Sequence, residues 1–201
     1  MKKENQNDNL LWVNFRQGDK EAFAGIYNAH IDSLISYGSK LCTDKEILKD
    51  NIQDMFVELW NSRENLTNPD CVKFYLFKAL RYKLIRAEKV RKLHVVVSPN
   101  GEAIYNGFDN PVETRIIEKE IRDSQTECIR IAIATLTKRQ QEAVLLRFYQ
   151  GFSNDQIANL MEMNYQSVSN LLHTALYRIK NNLKSSVAFT TALLTALHLF
   201  I

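Results

Sequence analysis

Glycine and proline are scarce in this chain, 6 and 3 among 201 residues. That scarcity disfavours turn-rich sandwiches and barrels and favours long helices. The three cysteines, Cys42, Cys71 and Cys128, lie far apart and form no Cys-x-x-Cys. Neither a disulfide framework nor a cysteine-rich zinc site is expected, and a reducing cytoplasm is the natural home. His30, His94, His173 and His198 are scattered, so no metal is expected either. The chain has no phosphate-cradling glycine loop and no Gly-x-Ser-x-Gly. No enzyme, cofactor or small-molecule substrate follows from it. The start, Met1-Lys2-Lys3-Glu4-Asn5-Gln6, lacks the apolar run of a signal peptide. The last 15 residues, Val187 to Ile201, are apolar, but a membrane span needs roughly 20.

What is present is a globular composition, 45% hydrophobic and 24% charged, with enough apolar surface to exclude a wholly disordered chain. The net charge of +3 hides an alternation. Residues 19–66 hold 5 Lys/Arg against 9 Asp/Glu, and residues 71–93 hold 8 against 1. Residues 100–127 hold 3 against 7, and residues 136–184 hold 6 against 3. The two basic blocks suit a polyanion, and the first acidic block suits a basic or apolar protein surface.

Helical periodicity runs through four stretches before residue 93. The first covers 8–17. The second opens at Asp19 and carries Ala22, Phe23, Ile26, Tyr27, Leu34, Ile35 and Leu41 with some irregularity. The third runs from Asp44, a natural cap, to about Asn61, with Ile47, Leu48, Ile52, Met55, Phe56 and Leu59 as its apolar stripe. Asn68-Pro69-Asp70 breaks the chain, and a fourth helix reaches about Lys92. Pro99-Asn100-Gly101, Gly107 and Pro111 mark a linker over 94–117. The expected fold is all-α, with two small helical domains over 8–93 and 118–184 joined by a flexible connector and followed by an apolar tail over 185–201.

The most specific pattern lies between Leu136 and Leu183. Thr137 can cap a helix that ends at Gly151, and Ser153-Asn154-Asp155-Gln156 forms a Ser-x-x-Gln capping box opening a short helix to about Met161. A tight turn through Glu162-Met163-Asn164 leads into a last helix from Tyr165 to about Leu183. This is the spacing of a helix–turn–helix (winged-helix-like in class only, without a wing), whose second helix enters the major groove. Its outward positions are Tyr165, Gln166, Ser167, Ser169, Asn170 and His173. Glutamine and asparagine can make paired hydrogen bonds to adenine. A helical packing unit that binds no DNA is the alternative on the pattern alone.

Taken in order, Asp50-Asn51-Ile52-Gln53-Asp54-Met55-Phe56-Val57-Glu58-Leu59-Trp60, Tyr75-Leu76-Phe77-Lys78, Leu136-Thr137-Lys138-Arg139-Gln140-Gln141-Glu142-Ala143, Gly151 to Ala158, and Ser167-Val168-Ser169-Asn170-Leu171-Leu172 resemble the small two-domain sigma factors of bacterial RNA polymerase, the extracytoplasmic-function group. The resemblance covers about residues 8–184. It implies that Asp50, Gln53, Asp54 and Glu58 dock on the clamp helices of the polymerase β′ subunit, and that the β flap is a second contact. It implies that Lys73, Lys78, Arg81, Tyr82, Lys83, Arg86 and Lys89 meet the promoter −10 element, where basic residues attract phosphates and rings stack on unpaired bases. The recognition helix would then read the −35 element. An anti-sigma factor, often membrane-bound in the family, is the further partner implied. Family members often place Asn where Tyr82 stands, Asp where Arg86 stands, Gly where Glu162 stands and Arg where Leu171 stands. The competing function is a helix–turn–helix regulator acting without a stable polymerase complex.

Overall fold

A computed structural model describes residues 2–95 and 129–199, with side chains described over 7–90 and 129–183. Its helices are α1 Lys2–Arg16, α2 Lys20–Leu41, α3 Lys45–Asn61, α4 Val72–Val95, α5 over 129–134, α6 Lys138–Val144, α7 Asn154–Met161 and α8 Tyr165–Leu199. Among the described residues there is no strand, and the chain is all-α as expected. Contacts divide it into two compact units, the first built on α1–α4 together with Asn159–Glu162, and the second on α5, α6, the start of α7 and α8. Most of the expected linker, 96–117, lies outside the described residues.

In the first unit α2 is central and packs on α1, α3 and α4. Asp19 and Asp44 cap α2 and α3. Each carboxylate accepts two backbone N–H bonds, from Glu21 and Ala22 and from Glu46 and Ile47. These would otherwise be unsatisfied donors of the first turn. The inner face of α2 buries Ala22, Ile26, His30, Leu34, Tyr37 and Gly38. Gly38 lets α3 approach, since a methyl group there would collide with the Leu48 side chain. An aromatic cluster joins all four helices. The Trp12 ring meets Phe15 at 5.4 Å and Tyr75 at 5.1 Å, and the Phe23 ring meets Phe15 at 5.3 Å and Trp60 at 5.1 Å. Helix α1 begins earlier than the periodicity predicts, because its first turns are polar and leave no apolar stripe to read.

Helix α1 also holds the connection between α3 and α4. Trp12 Nε1 donates to the Thr67 carbonyl at 3.1 Å, and Arg16 Nη1 donates to Asn68 Oδ1 at 2.9 Å. The Arg63 guanidinium lies 4.8 Å from the centre of the Trp60 ring and donates to the Trp60 carbonyl.

In the second unit α6 passes into a π-helical turn over Leu145–Tyr149, with Gln150 N donating to Leu145 O five residues back. Gly151, at φ +75°, ends it in the left-handed conformation that glycine accepts without strain. Helix α8 continues unbroken to Leu199, 35 residues and about 52 Å. The tail expected as a separate segment therefore extends the last helix through its backbone. Among the described residues no helix is long and apolar enough to cross a membrane.

Both tryptophans of the chain, Trp12 and Trp60, lie in the first unit, so fluorescence reports on that unit alone. Trp12 is 1% exposed. Trp12→Ala is expected to cost about 3–5 kcal/mol, the range for a buried large aromatic. Denaturant unfolding followed through Trp60 checks this, and a loss under about 1 kcal/mol would contradict the packing described.

Candidate functional site

The acidic helix α3 turns Asp50, Gln53, Asp54 and Glu58 to solvent while Leu48, Ile52, Met55, Phe56 and Leu59 are buried. Beside that polar face runs an open apolar groove of about 720 Å³ between α2 and α3. Its α2 wall is Phe23, Tyr27, Ile31 and Ile35, spaced four residues apart. Its α3 wall includes Ile52, Gln53, Phe56, Val57 and Trp60, and Lys20 and Lys49 also line it. Tyr27, Ile35 and Val57 are 40%, 43% and 51% exposed. Sequence reasoning placed Tyr27 and Ile35 among the apolar positions of a single packed helix and did not mark the groove. The irregular periodicity of α2 was the available signal, since two apolar stripes overlap there, one buried and one open.

The basic helix α4 separates its expected contact residues into two groups. Lys78, Tyr82, Arg86 and Lys89 are exposed and fall at i, i+4, i+8 and i+11, one stripe along the helix. Tyr82 is 66% exposed and sits among the three cations. Lys73, Arg81 and Lys83 are turned elsewhere. Lys73 Nζ lies 5.9 Å from the Phe77 ring, and Arg81 is mostly buried. Lys83 Nζ pairs with Glu58 Oε1 of α3 at 2.7 Å, so an expected polymerase contact and an expected DNA contact neutralise each other. Of the other aromatics, Phe77 is buried and stacks on Tyr37 at 4.9 Å. Tyr75 packs edge-on against Trp12, and burial pushes its phenol pKa up, so it stays neutral.

The helix–turn–helix is built from local caps. Thr137 and Gln140 form a reciprocal capping box at the start of α6. Ser153 and Gln156 form another at α7, with Gln156 N donating to Ser153 Oγ at 3.2 Å and Ser153 N to Gln156 Oε1 at 2.9 Å. Asn164 caps α8, its Oδ1 accepting from Ser167 N at 2.7 Å. Ile157, Ala158, Met161, Val168, Leu172 and Ala175 are buried. On α8, Tyr165, Gln166, Asn170 and His173 are exposed, and Ser167 and Ser169 are half-buried. Arg178 donates to Gln140 Oε1 at 3.3 Å and ties α8 to α6.

The Sigma-70 region 4 family matches residues 126–179, the segment containing this helix–turn–helix. The RNA polymerase sigma factor YlaC of Bacillus subtilis (strain 168) is 21% identical over 169 residues, which span 83% of this chain and 95% of that protein. Bacteriocin UviA of Clostridium perfringens is 25% identical over 183 residues, 84% of this chain and 94% of that protein. Among solved structures, the sigma factor RpoE of Bartonella quintana, crystallised in complex with the anti-sigma factor NepR, superposes with a TM-score of 0.62 at 20% identity. That match covers 81% of this chain and 96% of RpoE. Residues 126–179 thus carry a Sigma-70 region 4 segment, and over most of its length the chain is similar to a sigma factor in sequence and in fold.

The chain departs from the habit of the family it resembles at the turn between α7 and α8. Glu162 takes φ +55°, the left-handed region, where the family often has glycine. A side chain there strains against its own backbone. Glu162→Gly is therefore expected to stabilise the protein by about 0.5–1 kcal/mol, the strain relieved exceeding glycine's extra freedom when unfolded. Thermal unfolding by circular dichroism, compared with a Glu162→Ala control that keeps the strain, checks the sign.

Proposed function

We propose that this sigma factor docks on core RNA polymerase through α3 and the α2/α3 groove, and directs promoter-specific initiation through α4 and α8. The observation that carries this reading is the adjacency, in one unit, of an acidic-apolar surface and a cationic stripe with an exposed ring at its centre. A helical protein partner with an apolar ridge and basic flanks, such as the β′ clamp helices, fits the first. Melted −10 DNA fits the second, with Lys78, Arg86 and Lys89 on phosphates and Tyr82 stacking on an unpaired base. Residues on α8 read the −35 element, and the β flap is a further polymerase contact. The chain makes and breaks no bonds; it supplies binding energy and specificity in the cytoplasm. Salt weakens its promoter contacts, because the cations displace counterions from DNA.

An anti-sigma factor restrains it in this reading, supported by the RpoE relative, which was solved with NepR bound.

In-vitro transcription with purified core polymerase tests the reading. The sigma factor should convert core enzyme into one that starts at specific sites, and a failure to associate with the core at any ionic strength removes it. Asp54→Lys should lower core affinity by tenfold or more, about 1.4 kcal/mol upward, with the fold intact by circular dichroism. Asp54 is a cleaner probe than Glu58, whose charge is engaged by Lys83. Unchanged core binding by Asp54→Lys would remove α3 from the docking surface. Tyr82→Ala should reduce open-complex formation about tenfold, within the range for loss of one base–ring stack. Permanganate reactivity of melted thymines at the −10 element reads this, with closed-complex binding as the reference.

A further inference from the structure

We propose that Asn170 pins the side-chain amide of Gln166 in one orientation, so that the two residues read one adenine-bearing base pair as a unit. The proposal rests on the reading of α8 as the recognition helix.

Gln166 and Asn170 stand one helical turn apart and are both exposed. Gln166 Nε2 donates to Asn170 Oδ1 at 3.1 Å. The backbone on either side is held by Asn164 Oδ1 accepting from Ser167 N at 2.7 Å and by the Thr174 hydroxyl donating to the Asn170 carbonyl at 2.8 Å. The pair therefore sits on a fixed stretch of helix, and the Gln166 amide has one of its two N–H donors committed.

The second N–H of Gln166 and its Oε1 remain. They form a donor and an acceptor side by side, the complement of adenine N7 and N6–H2 in the major groove. An unattached glutamine turns its amide over and presents donor and acceptor in either order. Reversed, the same amide meets the N4–H2 donor and O6 acceptor of a C·G pair. With Nε2 on the Asn170 side, the reversed form is reached only when the Asn170 amide turns over as well, and the contact spends the rotamer entropy of the long side chain before DNA arrives. Asn170 is thus a positioning residue for base readout by Gln166, while its own Nδ2 stays a donor.

The test uses the full chain assembled with core polymerase and a promoter library randomised across the upstream element, with bound DNA recovered and sequenced. The unmodified protein should favour A·T over C·G about tenfold at one position, within the discrimination of a bidentate pair. Gln166→Ala should erase that preference. Asn170→Ala should reduce it to about threefold at the same position, through a gain of C·G sequences. Asn170→Asp keeps an acceptor for Nε2, so it should retain the tenfold preference while its charge weakens binding to all sequences alike. The proposal is overturned if Asn170→Ala leaves the preference at the Gln166 position intact. It is overturned equally if Asn170→Asp loses as much as Asn170→Ala, which would make Asn170 a direct reader or a helix contact. A Gln166→Ala protein that changes no position overturns this proposal together with the reading of α8 beneath it, a pattern distinct from either Asn170 result.

Discussion

Helix α2 is apolar on two faces, and the first unit has room to bury only one of them. Ala22, Ile26, Leu34 and Tyr37 go inward against α1, α3 and α4. Phe23, Tyr27, Ile31 and Ile35 go to the other side, where α3 covers them in part and leaves a groove. Apolar area left in water is unfavourable in proportion to its extent, so a groove of this kind is a standing reservoir of binding energy for a partner that fills it. The aromatic cluster of Trp12, Phe15, Phe23, Phe56 and Trp60 contributes Phe23, Phe56 and Trp60 to the groove's lining. Phe23 belongs to both, since its ring packs on Phe15 and Trp60 and also lines the groove.

Much of the architecture was legible because it is decided locally. Asp19, Asp44, Ser153 with Gln156, and Asn164 each act on backbone groups within three residues, so their caps follow from the sequence and are found in place. Gly151 is of the same kind. The features that were not legible are those decided by packing or by the absence of a stripe. The polar opening of α1, the π turn at Leu145–Tyr149 and the unbroken run of α8 to Leu199 leave no local mark that a 3.6-residue period would detect. The open groove was hidden for the opposite reason, because Tyr27 and Ile35 look like core residues until the buried stripe is seen to be complete without them.

Charge counting has a similar boundary. The excess of cations over 71–93 is plain in the sequence, and three outward positions of α4, Lys78, Arg86 and Lys89, realise it as a stripe around Tyr82. The count does not reveal that Lys83 is spoken for by Glu58, that Arg81 is mostly buried, or that Arg178 serves α6. Partners depend on which helix lies alongside, and the sequence orders those helices without setting their contacts. The start of α8 was more readable than α4 because its outward face is set by one amphipathic period and one cap.

The ion pair of Glu58 and Lys83 links the two proposed contact surfaces of the first unit. Glu58 is 69% exposed and Lys83 18% exposed in their side chains, so the pair is close to the surface and worth under about 1 kcal/mol. A partner that draws Glu58 away frees a cation on α4, and DNA that draws Lys83 away frees a carboxylate on α3. Linkage requires the two effects to be equal in size. At under about 1 kcal/mol the coupling is less than about fivefold in either direction, too small to switch a sigma factor on or off by itself. In the proposed reading, polymerase docking then assists promoter binding chiefly by tethering, which raises the effective concentration of a second DNA contact far beyond what one exposed pair supplies.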